Sequence, residues 1–460
     1  MTAAVDSPLD ATAPSNRPSG SDPGSRGHIG RIVAGSLATG LFTAALLVAA
    51  PFIPAEESAM TGAVLCGFAL GWTMLAVLSV RFTDQPQRWA AAPAVLMGAG
   101  GIVLIGFGSP AQQVLTWVWP AAVLALVIWM IRRARRQLHS GRWLLYPVFA
   151  ALVLASLGGG YETVREAVDA NAYPMPGQLI DVGGHRLHLN CTGSGGPTVV
   201  LEAGGGEMSS NFGWIAPAVA RDTRVCVYDR AGRGWSEPAD TVQDATHIVT
   251  DLHTLLHNGH VPGPYVLAGH SFGGLYALTF AARYPDEVAG MVLIDSTSPN
   301  WNAQPAAASS SGRDSYDPMG RLSALVSGSA RLGLSRLVDV FLPDTLPRRS
   351  GAEVHATGAT ATSVRSSIDE YLYADASADQ AASLRDFAGK PLFVLTAAIG
   401  NNAAWTVKQN RLASLSTNSV HRSVATTHEG LVADPDGAAA TSQAILDVVS
   451  SVRSARPLPR

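Results

Sequence analysis

The pentapeptide Gly269-His270-Ser271-Phe272-Gly273 fits the pattern G-x-S-x-G, and its flanks say how it is held. Upstream, "PYVLA" is a short apolar run of strand type. Downstream, "GLYALTFAARYPDE" has helical spacing. A serine on a strand-to-helix turn projects its hydroxyl at the end of a sheet, and so sharp a turn needs small neighbours. Gly269, Gly273 and Gly274 supply them. The chemistry implied is nucleophilic attack by Ser271. Such a serine needs a base to take its proton, an acid to orient the base and backbone N–H groups to receive an oxyanion. In a chain with 46 glycines the pattern alone could be an incidental glycine-rich turn; its place between strand and helix speaks for function.

With the chain order nucleophile, acid, histidine, the base is sought late in the sequence. His428, in "ATTHEG", follows the last strand pattern, whereas His421 lies inside that strand. His247, His253, His257 and His260 fall on or just after one helix. The i, i+4 spacing of His253 and His257 could suit a metal, but no H-E-x-x-H motif accompanies it, and they read as exposed helix residues. No nucleotide or metal motif occurs, so no cofactor, metal or nucleic-acid partner is expected.

The elements that must position these residues alternate. "QLIDVGGHRLHLNC" reads as two strands joined at Gly183-Gly184. "PTVVLEAGGG", "TRVCVYD", "PYVLAGHS", "GMVLIDS" and "KPLFVLTA" read as buried strands, with helices such as "THIVTDLHTLLHNGH" between them. A last strand is expected near "SVHRSVATTH" and a closing helix at "AAATSQAILDVVSSV". Buried strands alternating with helices predict an α/β domain, its sheet mostly parallel and covered on both faces. Residues 297–389, with weaker helical patterns, form an insertion expected to cap the site.

From about Gly177 to Ser454 the chain resembles serine hydrolases of the α/β-hydrolase fold, with "VVLEAGGG", "YDRAGRGWSEP", "GHSFGG" and "TTHEG" in that family's order. The resemblance implies an oxyanion hole made by the N–H groups of Phe272 and Gly205. It also implies an acid just after the seventh strand, and here the sequence departs: "PLFVLTAAIGNNAAW" has Ala398 at that place. Some family members carry the acid at the end of the sixth strand, where "MVLIDS" offers Asp295; Asn401 or Asn402 could instead serve as a neutral orienter. Asp229 and Glu202 are out of chain order for the triad, and read as braces of their own loops. In the sheet order that the resemblance implies, the strands bearing Cys191 and Cys226 are antiparallel neighbours. A disulfide is then expected if the register brings the two face to face, and two buried thiols if it does not.

The first third of the chain has a different composition. Only 15% of the 460 residues are charged, and the deficit is concentrated. Uncharged runs cover 32–55, 58–80, 89–131 (interrupted by "GSPAQQ") and 143–161. About 20 apolar residues cross a bilayer, so these runs predict five transmembrane helices within 31–161. Residues 1–30, rich in Pro, Ser and Gly, are expected to be disordered, and 162–176 to be a linker before the α/β domain at 177–455. The first run could be a signal peptide, but Phe52 and Ile53 extend it beyond a typical signal core, which favours retention. Arginines occupy the tail, the loop of Arg81 and Arg88 and the loop "RRARRQLHSGR", while the alternate loops have no Lys or Arg. The positive-inside rule then places the N-terminus in the cytoplasm and the α/β domain outside it.

The reading is a multi-pass membrane protein with an extracytoplasmic serine hydrolase domain, acting on a small-molecule or lipid ester. Two other readings are an acyltransferase using the same residues, and a non-enzymatic membrane sensor or assembly protein on a degenerate hydrolase domain.

Overall fold

A computed structural model describes residues 23–139, 141–301, 316–339 and 345–459. Four long apolar helices come first: α1 (Pro23–Val48), α2 (Glu57–Phe82), α3 (Ala91–Gln137) and α4 (Tyr146–Ala172). Each has the length and apolarity to cross a membrane. Five separate helices were expected; the structure runs the third and fourth together through a fold at Gly108. That residue has φ 60° and ψ −142°, a conformation natural to glycine, and Pro110 follows it. In a straight helix positions 100 and 119 would lie about 28 Å apart. Instead the Trp119 ring lies 2.8 Å from where a Cβ on Gly100 would sit, so the two arms of α3 run side by side.

The ends of this bundle differ. At one end the α2–α3 and α3–α4 connections meet, with Gln87 Nε2 donating to the Gln137 carbonyl (3.4 Å) and the His139 N–H to Gln85 Oε1 (3.0 Å). At the other end lie the α1–α2 loop and the bend of α3, where Gln112 Nε2 donates to Glu57 Oε1 (2.7 Å). The arginines cluster near the first end; the α/β domain follows from the second.

Two expectations need correction. Residues 23–30, placed in a disordered tail, belong to α1, and Ile29 is fully buried among the bundle side chains; residues 1–22 lie outside the described residues. The linker at 162–176 is helical as far as Ala172, because Glu162 and Asp169 find a partner in Arg336, which local composition does not reveal.

The second domain opens with β1 (Gln178–Asp181), β2 (Arg186–Thr192) and β3 (Thr198–Glu202), then α5 (Ile215–Val219) and β4 (Val225–Tyr228). It continues with α6 (Ala245–Asn258), β5 (Tyr265–His270), α7 (Phe272–Arg283) and β6 (Val288–Ile294). Its last part, after an insertion, holds β7 (Leu392–Ala397), three helices and a strand. The insertion between β6 and β7 carries α8 (Pro318–Ala330), α9 (Leu334–Asp339), α10 (Arg348–Gly358), α11 (Ala361–Leu372) and α12 (Ala374–Ala381). After β7 come α13 (Ala403–Ala413), β8 (Ser419–Val424), α14 (Gly430–Ala433) and α15 (Pro435–Ser454). The eight strands form one sheet in the order β1-β2-β4-β3-β5-β6-β7-β8. The β1–β2 and β2–β4 pairs are antiparallel and the rest parallel. Every residue of β3, β4, β5 and β7 is buried, which explains their unbroken apolar runs. Separate apolar cores fill the two faces, one under α6 and α7, the other under α5 and α15.

Cys191 and Cys226 stand directly opposite in the β2–β4 ladder and are joined by a disulfide across 35 residues of sequence. The register that the sequence could not fix favours the bond.

Candidate active site

Ser271 sits between β5 and α7 with φ 52° and ψ −118°, an unusual backbone for a non-glycine residue and one that a strand-to-helix elbow imposes. Its neighbours hold it: the Ser271 N–H donates to the Ile294 carbonyl (3.1 Å), and its own carbonyl accepts from the Thr297 N–H (3.0 Å). The next strand, β6, ends one residue before Asp295, itself at φ 41° and fully buried.

Asp295 and His428 are brought together. Asp295 Oδ2 lies 2.7 Å from His428 Nδ1, which carries the proton facing it. Three further donors converge on the carboxylate. Trp405 Nε1 reaches Oδ1 at 2.7 Å, Asn401 Nδ2 reaches both oxygens at 3.1 and 3.0 Å, and the Ala397 N–H reaches Oδ1 at 3.3 Å. Burial pushes the Asp295 carboxyl up, but the bonds from His428, Trp405 and Asn401 outweigh it and hold the group below the usual carboxylate range. Asn401 therefore backs the carboxylate rather than meeting the imidazole. Asn402 caps α13, accepting from the Trp405 N–H at 3.0 Å, and so aims Trp405 at Asp295.

The loop after β3 lies against the elbow. A Cβ on Gly205 would come within 2.6 Å of the Phe272 ring, so only glycine allows this approach. The flanking N–H groups are occupied: Gly204 donates to Glu207 Oε2 (2.6 Å) and Gly206 to Glu370 Oε2 (2.9 Å). Those of Gly205 and Phe272 donate to no other described residue.

A match to the family model described as "alpha/beta hydrolase fold" covers residues 197–336. The sheet domain has the α/β-hydrolase fold. The chain is 38% identical over 158 residues to an uncharacterized protein of Schizosaccharomyces pombe, spanning 28% of this chain and 29% of that one. It is 32% identical over 126 residues to a 2-hydroxymuconate semialdehyde hydrolase of a Pseudomonas species, spanning 27% and 44%. Among solved structures, the enol-lactonase from Burkholderia xenovorans is 18% identical, with a TM-score of 0.42, covering 59% of this chain and 100% of that one. The chain thus spans less than half the length of these two curated relatives.

Several supports of the candidate site escape the sequence. His270, inside the pentapeptide, is fully buried; its Nδ1 lies 3.0 Å from Glu207 and its Nε2 3.2 Å from the His428 carbonyl. Burial raises the Glu207 carboxyl, but the His270 charge and the bonds from His270 and Gly204 overcome it and hold the group down at about 2. Burial lowers the His270 imidazole, and Glu207 more than reverses that. The two form an ion pair under the His428 loop. Arg230 binds the Ala203 and Gly204 carbonyls at 2.8 and 2.6 Å and Glu370 of α11 at 2.7 Å. Tyr371 follows on α11, its ring 5.0 Å from that of Phe272.

Asp229 holds its own turn as expected, accepting from the Trp235 N–H at 3.2 Å, whereas Glu202 bonds to β4 rather than to its own loop. Glu202 accepts from the Tyr228 hydroxyl at 2.7 Å, and Asp229 binds His188 (2.8 Å) and the Ser209 N–H (2.7 Å). His253 pairs with Glu287 (2.9 Å) and stacks on Tyr284, while His421 Nε2 meets Thr396 Oγ1 at 2.7 Å. A signal for Trp405 existed: an Asn three residues before it is an N-cap pattern, but nothing local tied that helix to β6.

Proposed function

We propose that the protein is a membrane-embedded serine hydrolase that cleaves carboxylic esters through an acyl-enzyme. The observation that carries this reading is the Asp295–His428 pair, held by three further donors beside a strained Ser271. Ser271 Oγ attacks the ester carbonyl carbon while its proton passes to His428 Nε2, and Asp295 stabilises the imidazolium. The negative oxygen rests on the Phe272 and Gly205 N–H groups. Collapse breaks the carbonyl–alkoxy bond, and the alcohol leaves with the proton from His428. Water, deprotonated by His428, then attacks the acyl-enzyme and releases the acid, restoring Ser271. The helices between β6 and β7 act as a cap, with Tyr371 over the elbow.

The four apolar helices, folded at Gly108, make five membrane crossings in this reading. With the arginine-rich end cytoplasmic, the hydrolase domain faces the other way. The hydrolase named among the relatives supports a hydrolytic reaction. The decisive experiment is labelling of the folded, detergent-solubilised protein by a fluorophosphonate probe. Labelling is expected in the native protein and absent in Ser271→Ala. Equal labelling of both, or none, would overturn the proposal.

A further inference from the structure

Helix α8 is amphipathic in the reverse sense. Its inward face is polar or small: Arg321, Ser323, Ala324 and Ser327 are buried, and Arg321 donates to the Val48 carbonyl (2.8 Å) and the Ile53 carbonyl (2.6 Å) of the α1–α2 loop. Its outward face carries Met319, Leu322 and Val326, 49%, 52% and 44% exposed. Beyond the turn, α9 adds Leu334, Leu337 and Val338, all half or more exposed. A helix washed by water would put these faces the other way round.

The neighbours of this hairpin decide what covers it. Gly328 of α8 lies 3.7 Å, measured from a Cβ built on it, from the Thr61 hydroxyl of α2. The turn after α8 presses on α4: the Leu332 carbonyl abuts Gly158, and Gly333 lies within reach of Tyr161. Gly158 is inside the apolar stretch of α4 that has membrane length. The exposed residues Leu154, Leu157, Tyr161, Val164 and Val168 continue as one stripe on α4 past that level. Several charges at this depth are paired on the inner side, Arg331 with Glu57 and Arg336 with Glu162 (2.7 Å) and Asp169 (2.9 Å). An apolar surface continuous with helices of membrane length, with paired charges on its inner side, suits hydrocarbon.

We infer that the α8–α9 hairpin of the insertion is immersed in the bilayer leaflet on the hydrolase side, with Met319, Leu322, Val326, Leu334, Leu337 and Val338 in contact with lipid. This rests on the membrane reading of the bundle but not on the chemistry of Ser271. It also bears on substrate: Ser323 of α8 bonds Asp369 of α11 (2.9 Å), next to Glu370 and Tyr371, so one helix separates the leaflet from the elbow.

The test uses full-length protein with Cys66→Ala, the disulfide left intact, in phosphatidylcholine–phosphatidylglycerol vesicles containing a nitroxide-labelled phosphatidylcholine. An environment-sensitive fluorophore is attached singly at Leu322→Cys or Leu337→Cys, with Val326→Cys and Val338→Cys as replacements should either fail to fold. Phe42→Cys on α1 gives the lipid reference and Ser454→Cys the aqueous one. Emission at 322 and 337 is expected to be blue-shifted and lost to the nitroxide as at 42. Quenching no greater than at 454 overturns the inference, and a blue shift without quenching does the same by showing a protein partner instead. Absence of quenching at 42 as well overturns the membrane reading itself and this inference with it.

Discussion

Asp295 follows β6, whereas Ala398 occupies the place of an acid after β7, so replacing Asp295 tests the site most sharply. Asp295→Asn leaves the shape but presents the wrong partner to His428 Nδ1, and kcat is expected to fall about 10⁴-fold with little change in KM. Asn401→Ala removes one of four donors and should cost about tenfold. A larger loss in Asn401→Ala than in Asp295→Asn, measured by ester hydrolysis, would reverse the assignment. Gly205→Ala forces a Cβ into the Phe272 ring, and a fall of about 10² in kcat, close to 3 kcal/mol, is expected. Glu202 gives a pH signature. Burial pushes its carboxyl from the ordinary 4.5 up to about 7, only partly offset by the Tyr228 hydroxyl and Arg230. The folded chain thus holds a proton that the unfolded chain has released, so stability falls as pH rises between those values. The loss is roughly 3 kcal/mol, and Glu202→Gln should not show it; thermal unfolding from pH 4.5 to 8 compares them. The elbow at Ser271 was legible because its motif is local in sequence. The bonds of Asn401 and Trp405 to Asp295 were not, because their target lies more than 100 residues away.

The strands announced themselves through apolar runs buried on both faces, as in β3 and β5. The register of β2 against β4 was not legible, since Cys191 and Cys226 would face apart after a slip of one residue. Intact mass after alkylation, with and without reduction, should show two more blocked thiols in the reduced sample. Removing the bond frees a loop of 35 residues, and by chain entropy costs at most about 4 kcal/mol. The helices of the insertion were the least readable elements. In α8 the apolar spacing points outward and the polar face inward, so its pattern does not mark a face packed on the domain. Arg336 is the counterpart: it is largely buried with Glu162 and Asp169, and Arg336→Gln should destabilise the docked insertion by about 3 kcal/mol or more. Limited proteolysis of the solubilised protein reads this as faster cleavage between β6 and β7.

At the scale of the whole molecule, charge placement is the legible feature. The arginine asymmetry needs no three-dimensional information, whereas the fold of α3 at Gly108 requires knowing that Gly100 and Trp119 meet. A reporter fused after residue 460 should be active outside the cytoplasm, and one inserted in "RRARRQ" active inside it. Cytoplasmic activity of the C-terminal fusion would overturn the topology. The Arg331–Glu57 pair spans 274 residues of sequence, which sets a schedule for biogenesis. At a translation speed of about 5–20 residues per second, Glu57 is made roughly 15–55 s before its arginine. The bundle is complete only once α4 has been made to Ala172, so for the last part of that interval it exists without the insertion, and Glu57 and Glu162 lack their arginines. A nascent chain stalled before residue 331 should therefore hold a bundle whose outer rim is open, and the arrival of the α8–α9 hairpin is the event that seals it.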